Sequence, residues 1–219
     1  MTTFRIDLER FSDNDAPACI ALANSIEWRG TDRATDLATD ADGLLRWARR
    51  WRLAPEPQLA RLQRRVPADA PQVADALRAL RALRDDVHAL LAGAARGDAL
   101  PADRLERLES QTKRLMARLR IRADGPALRT ELADAPNPWR FWEAAAVLST
   151  LAVLSAADRG RLKVCEDTRG CGWLFIDTTR NGARRYCSEE SCGNYARQQR
   201  FRARHQATVP AKERRDARH

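Results

Sequence analysis

Four of the five cysteines, Cys165, Cys171, Cys187 and Cys192, fall within 28 residues, spaced Cys-X5-Cys, then fifteen residues, then Cys-X4-Cys. Two close pairs separated by a short span is how a chain closes a tetrahedral zinc site, each pair gripping the ion from one side with Zn–S near ~2.3 Å. The competing reading, two disulfides, requires an oxidising compartment. The start, Met-Thr-Thr-Phe-Arg, lacks the charged-then-apolar pattern of a secretory signal, so a cytoplasmic chain with reduced thiols is expected. One structural Zn2+ held by the four clustered cysteines is therefore the preferred reading. A four-thiolate site leaves no free coordination position for catalysis. Neither a nucleophile with a placed base nor a phosphate loop is visible, and the chain reads as a non-enzyme.

Local patterns surround those pairs. Trp173-Leu174-Phe175-Ile176-Asp177 reads as a strand, Asn181-Gly182 as a turn, and Arg184-Arg185-Tyr186 as a second strand, which together predict a hairpin linking the pairs. Ser188 is positioned to cap a helix whose first turn holds Glu189, Glu190 and Cys192. Such a treble-clef-like finger is too small to bury much core of its own, so metal binding should supply much of its folding free energy. His205 is read as a solvated helix residue, Cys19 and His88 as structural, and Trp173 and Phe175 as the finger's own small core.

Up to residue 160 the dominant period is helical. Asp15, Ala16 and Pro17 look like a cap and first turn, with a helix running to about Trp28. Thr39 and Asp42 resemble a capping box ahead of Leu44, Trp47 and Trp51. From Pro71, Val73, Leu77, Leu80, Val87 and Leu91 share a face up to Gly93, and another helix follows Pro101. Alternation on both sides of Asp124-Gly125 suggests a small hairpin. Asn137-Pro138 then opens a helix over 139–157, apolar nearly all round and expected to sit centrally. The fold class is mostly α: an N-terminal helical domain over 1–160, then a finger with a β-hairpin and a basic helix over 161–219.

The chain carries +9, and residues 161–219 alone hold 14 Lys plus Arg against 7 Asp plus Glu. That excess points to an anionic partner. Arginine makes up 36 of the 39 basic residues, however, so much of it also fits an ordinary solvated surface in an Arg-rich chain. On the last helix Arg197, Arg200 and Arg204 share one face beside Asn194 and Phe201, a plausible phosphate-contacting stripe on DNA. Arg185 is a weaker candidate for the same surface. No stretch reaches the ~20 apolar residues of a membrane span.

The run Cys171-Gly172-Trp173-Leu174-Phe175-Ile176-Asp177, then Asn181, Arg184-Arg185-Tyr186-Cys187 and Cys192-Gly193-Asn194-Tyr195, resembles the CGNR zinc finger. That bacterial family follows a helical ABATE domain in proteins regarded as stress-induced transcription regulators. The front of the chain is similar too, through Ala21-Leu22-Ala23-Asn24-Ser25 and the helix over 80–91. Two departures stand out: Tyr195 replaces the family's Arg, and the first cysteine pair has one extra intervening residue. Zinc is compatible with both, whereas a DNA contact made by that Arg is lost. The resemblance implies a DNA-binding regulator whose helical domain senses a signal. A small ligand would then lie among the N-terminal tryptophans with Asn24, Trp28 and Arg140, although packing alone explains those residues as well. The alternative is a zinc-stabilised protein-interaction module without nucleic-acid binding. Oligomeric state is left open.

Overall fold

The computed structural model describes residues 4–5, 17–65, 67–133, 137–156 and 159–208. Asp15 and Ala16 of the expected first cap, and Asp158 of the expected boundary, lie outside the described residues. Seven α-helices and three small antiparallel sheets make up the described part.

Helix α1, Ala18–Ala23, is buried on every side. It stops well short of Trp28 because the next residues have other partners. The Asn24 carboxamide binds the backbone of Leu174, and the Ser25 hydroxyl donates to the Leu22 carbonyl at 2.8 Å. Trp28 takes φ +54 in a turn between β2, Ile26–Glu27, and its antiparallel partner β3, Thr35–Asp36. Helix α2, Ala41–Arg50, is capped by Asp40, whose carboxylate accepts from the Gly43 N–H at 2.7 Å, one position beyond the expected Thr39. Helix α3, Glu56–Arg65, buries only Leu59 and Leu62, too little periodicity to register in the sequence.

The longest helix, α4, spans Pro71–Arg96. It begins with proline at its first turn, passes through Gly93, and ends on Gly97 at φ +75, the left-handed terminator that glycine adopts without strain. Its buried face packs against α1, against α5, Ala102–Met116, and against α6, Trp142–Ser155. The central place expected for α6 therefore belongs to α4. Asn137 caps a 3-10 turn at Pro138–Arg140 rather than the helix itself, and its amide donates to the Gln72 carbonyl of α4 at 2.7 Å. Between α5 and that turn, β4, Leu119–Asp124, pairs with β5, Ala127–Leu132, as the alternation predicts, and β1, Phe4–Arg5, adds a third strand.

Trp47, Trp139 and Trp142 are core residues, each no more than 2% exposed. A buried arginine ties β3 to the central helix. Arg84 of α4, 3% exposed, reaches Asp36 of β3 at 2.9 Å and the Ser25 hydroxyl at 3.3 Å, so the first turn of chain is fixed to the central helix.

The C-terminal part is stitched into this core. Strand β6, Leu162–Val164, pairs with β7, Leu174–Ile176, and both Leu162 and Leu174 are buried in the same apolar cluster as α1 and α4. Full burial of a leucine contributes about 1.5–3 kcal/mol. The last helix, α7, Asn194–Thr208, leaves that body with residues 197–205 exposed.

Candidate metal centre

The hairpin differs from the one the sequence suggests. Its strands flank the first cysteine pair, so Cys165 and Cys171 lie in the loop that joins β6 to β7. Residues 184–186 form no strand, because their backbone is held by side chains. The Arg184 N–H donates to Asp177 Oδ2 at 2.8 Å, and Lys163 Nζ donates to the Arg184 carbonyl at 2.9 Å. Asp177, 1% exposed, organises this return. Burial pushes its carboxyl pKa up, but Lys163 at 2.7 Å, the Thr179 hydroxyl and two backbone N–H groups outweigh burial and hold it well below the usual carboxylate range.

Cys187 follows directly, and Cys192 sits in a π-helical turn, Glu189–Gly193, capped by the Ser188 hydroxyl as expected. All four sulfurs lie within 4.8 Å of one another. None is in a disulfide. Cys171 and Cys187 are 3.7 Å apart and Cys187 and Cys192 3.8 Å. A tetrahedron with ~2.3 Å Zn–S bonds has edges of about 3.8 Å, whereas a disulfide needs ~2.05 Å. The residues present therefore fit a metal ion. Electrostatics agree: hydrogen bonds from the Cys171 and Cys187 thiols lower the Cys165 pKa, and contacts with Cys165 and Cys171 raise that of Cys187. Such a cluster accepts one negative charge and resists a second until a cation arrives.

The loop between the first pair is pinned from both sides. The Asp167 carboxylate accepts from the Arg169 backbone at 2.9 Å and from its guanidinium, which lowers the Asp167 pKa to about 2. Gly170, at φ +88, lets this loop approach the N-terminal part, since a Cβ there would meet Thr31 Cγ2 at 2.7 Å. Arg169 also stacks on Tyr195 at 3.9 Å and faces Trp28 at 5.3 Å, while Arg33 covers Trp28 at 4.4 Å. This ladder links the first residues to the start of α7. Sequence reasoning missed it, since nothing in the sequence announces a contact between residues about 140 positions apart. It also gives Tyr195 a role as the platform for Arg169.

Arg197, Arg200 and Arg204 line one open groove on α7 together with Phe201. Arg197 is engaged by Glu189, at 2.9 Å to the carboxylate and 3.0 Å to the carbonyl. Arg185 lies outside the groove, paired with Glu166 at 2.7 Å. Asn194 is exposed at the start of the helix. The three ligand candidates are not brought together. Asn24 lines a cavity against the finger, Arg140 lines another beside Asp75 and Glu143, and Trp28 lines neither. Cys19, fully buried, has its thiol pKa pushed up to about 11 by burial and accepts from the Ser149 hydroxyl, a structural setting.

No curated protein matches the chain. Two family profiles do: the CGNR zinc finger over residues 161–205, and ABATE, described as "Putative stress-induced transcription regulator", over residues 16–159. With more than half its length matched by the second profile and its cysteine cluster by the first, the chain belongs to the ABATE family and carries a CGNR zinc finger behind that domain.

Proposed function

We propose that the protein is a DNA-binding transcription regulator, in which one structural zinc ion fixes the finger and α7 presents a cationic face to DNA phosphates. The observation that carries this reading is the composition of the exposed helix: four arginines, one histidine and no carboxylate between Asn194 and Thr208, leading straight out of the metal site at Cys192. Arg197, Arg200 and Arg204 are the candidate phosphate contacts, and Glu189 already neutralises part of the charge of Arg197. Asn194, exposed beside them, is the candidate for a base edge, since an amide pairs with adenine at two points. On this reading the helical domain senses a small ligand and the chain works in the cytoplasm. No helix among the described residues is long and apolar enough to cross a membrane. The closed four-thiolate set supports a structural ion and a non-enzyme. A sequence-selection DNA-binding experiment on the zinc-loaded protein, with a chelated control, tests it. Enrichment of one sequence that disappears on chelation is expected, and no enrichment in either sample rejects it.

One observation favours a second reading. Phe201 is 63% exposed, with the His205 ring edge-on at 4.1 Å, an aromatic anchor suited to a protein partner. Binding through it would vary little with salt, unlike binding to DNA.

A further inference from the structure

The helical domain and the finger do not close completely against each other. Between them lies a cavity of about 360 Å3, toward the small end of ligand sites, which run ~300–1,000 Å3. Its walls come from both parts of the chain. Ile20 of α1 and Trp51, just past α2, face Trp173 and Ile176 of the finger. Thr178 and Arg184 add a polar side, and Cys187, one of the metal-site thiols, also borders it. Asn24 lines it as well, with its carboxamide held by two hydrogen bonds to the Leu174 backbone.

Three features define what would fit. The Trp51 and Trp173 rings sit 6.3 Å apart and tilted by 54°, an open V that offers aromatic surface rather than a closed stack. Among the described residues Arg184 has no carboxylate partner: it donates to the carbonyls of Tyr186 and Cys187 and lies 4.9 Å over the Phe175 ring. A second guanidinium, Arg50, lies outside the cavity lining, 5.8 Å from the Trp51 ring and 5.7 Å from the Trp173 ring, and is ion-paired with Glu27 at 3.7 Å, so it braces the two rings while Arg184 remains the anion partner. Apolar aromatic walls select a flat hydrophobic body, and a guanidinium with no carboxylate partner at a partly desolvated site selects one negative charge.

We propose that this cavity binds a small aromatic carboxylate, its ring against Trp51 and Trp173 and its carboxylate on Arg184, and that its occupancy tightens the finger's hold on the metal. The coupling follows from geometry. The wall made by Thr178, Arg184 and Cys187 is in place only while the segment beyond Asp177 is docked beside β7, and Arg184 is bonded to the carbonyl of Cys187, one of the metal-site residues. A ligand that prefers the docked state must raise metal affinity by the same factor by which metal raises its own. This inference rests on the sensing half of the reading above, to which it supplies a site and a ligand class. No DNA enters its test, so its failure is separable from a failure of DNA binding.

The test uses the zinc-loaded full chain, 1-naphthoate as probe and neutral 1-naphthamide as its matched control. Calorimetry should show 1:1 binding of naphthoate about tenfold tighter than the amide. Thr178 is exposed at the cavity edge, so Thr178→Trp should fold normally, block the site and weaken naphthoate by at least about tenfold. Saturating naphthoate should slow zinc transfer to a chromogenic chelator by at least about threefold, an effect absent in Thr178→Trp. Absent binding, equal affinity for acid and amide, undiminished binding by Thr178→Trp, or an unchanged zinc-transfer rate at saturation would each overturn the proposal.

Discussion

Replacing Asn24 by alanine should separate the finger from the helical domain while leaving all four cysteines in place. In the β6/β7 hairpin the Cys165 N–H bonds to Trp173 and the Asp177 N–H to Arg161, and the register places Val164 opposite Leu174. Hydrogen-bonded and non-hydrogen-bonded pairs alternate in an antiparallel ladder, so the Leu174 peptide groups point away from β6. Asn24 takes both, donating to the Leu174 carbonyl at 2.9 Å and accepting from its N–H at 2.9 Å. Both residues are buried. The substitution leaves one donor and one acceptor without partners, at about 1–3 kcal/mol each, so about 2–4 kcal/mol in total once some water enters. That is a large part of a typical ~5–15 kcal/mol stability. Urea denaturation of the zinc-loaded protein, followed by tryptophan fluorescence, reads it. Asn24→Asp is the control: it keeps the acceptor for the Leu174 N–H but sets a carboxylate against the Leu174 carbonyl. Its folded-state pKa is therefore raised, and its stability should recover as pH falls. A loss below about 0.5 kcal/mol for Asn24→Ala would refute the reasoning.

Elemental analysis should find one zinc per chain, and a Cys187→Ser, Cys192→Ser double variant that still retained a full equivalent would contradict the ligand assignment. Chelation should release the segment from Asp177 through α7 while circular dichroism retains the helical signal, because Leu162 and Leu174 stay in the helical core. Arg84→Met should cost about 1.5–3 kcal/mol by removing the closest cation from Asp36, which keeps Arg81 at 3.8 Å and the Ala38 N–H, and the Arg84→Met, Asp36→Asn pair should cost less than the two single changes together in urea titrations. Burial, followed by the nearby Arg29 charge, lowers the His88 pKa to about 4. The unfolded chain takes up a proton near ~6.5, so that contribution is complete above ~6.5 and lost as pH falls toward 4; stability should drop by about 2–3 kcal/mol from pH 7 to pH 4.5, and His88→Gln should remove this part.

The metal site was legible because its chemistry is local: four cysteines, a capping Ser188 and a turn at Asn181-Gly182 are all signals of short range. The hairpin register was not, since residues 184–186 alternate like a strand while Asp177 and Lys163 hold their backbone by side chains. In the helical domain, α4 followed from strong helical periodicity, and the β4/β5 hairpin from the short alternation on both sides of Asp124-Gly125. The early end of α1 was hidden because it depends on Leu174, 150 residues away. The same distance concealed the Trp28, Arg169 and Tyr195 ladder and the role of Asn24, which reads as a ligand candidate by position and acts in the structure as a clip on β7.

DNA affinity measured at about 50 and 200 mM salt, for the wild type and for the Arg197→Ala, Arg200→Ala, Arg204→Ala triple variant, tests the central claim most directly. Each phosphate contact contributes close to ~0.9 to the slope of log affinity against log salt, so the variant should bind more weakly on every sequence with a slope shallower by about 2–3. The smaller figure applies if Glu189 already withholds Arg197 from phosphate. Unchanged affinity and slope, with zinc still bound, would contradict DNA recognition by α7 and leave Phe201 as the anchor of a protein-interaction surface.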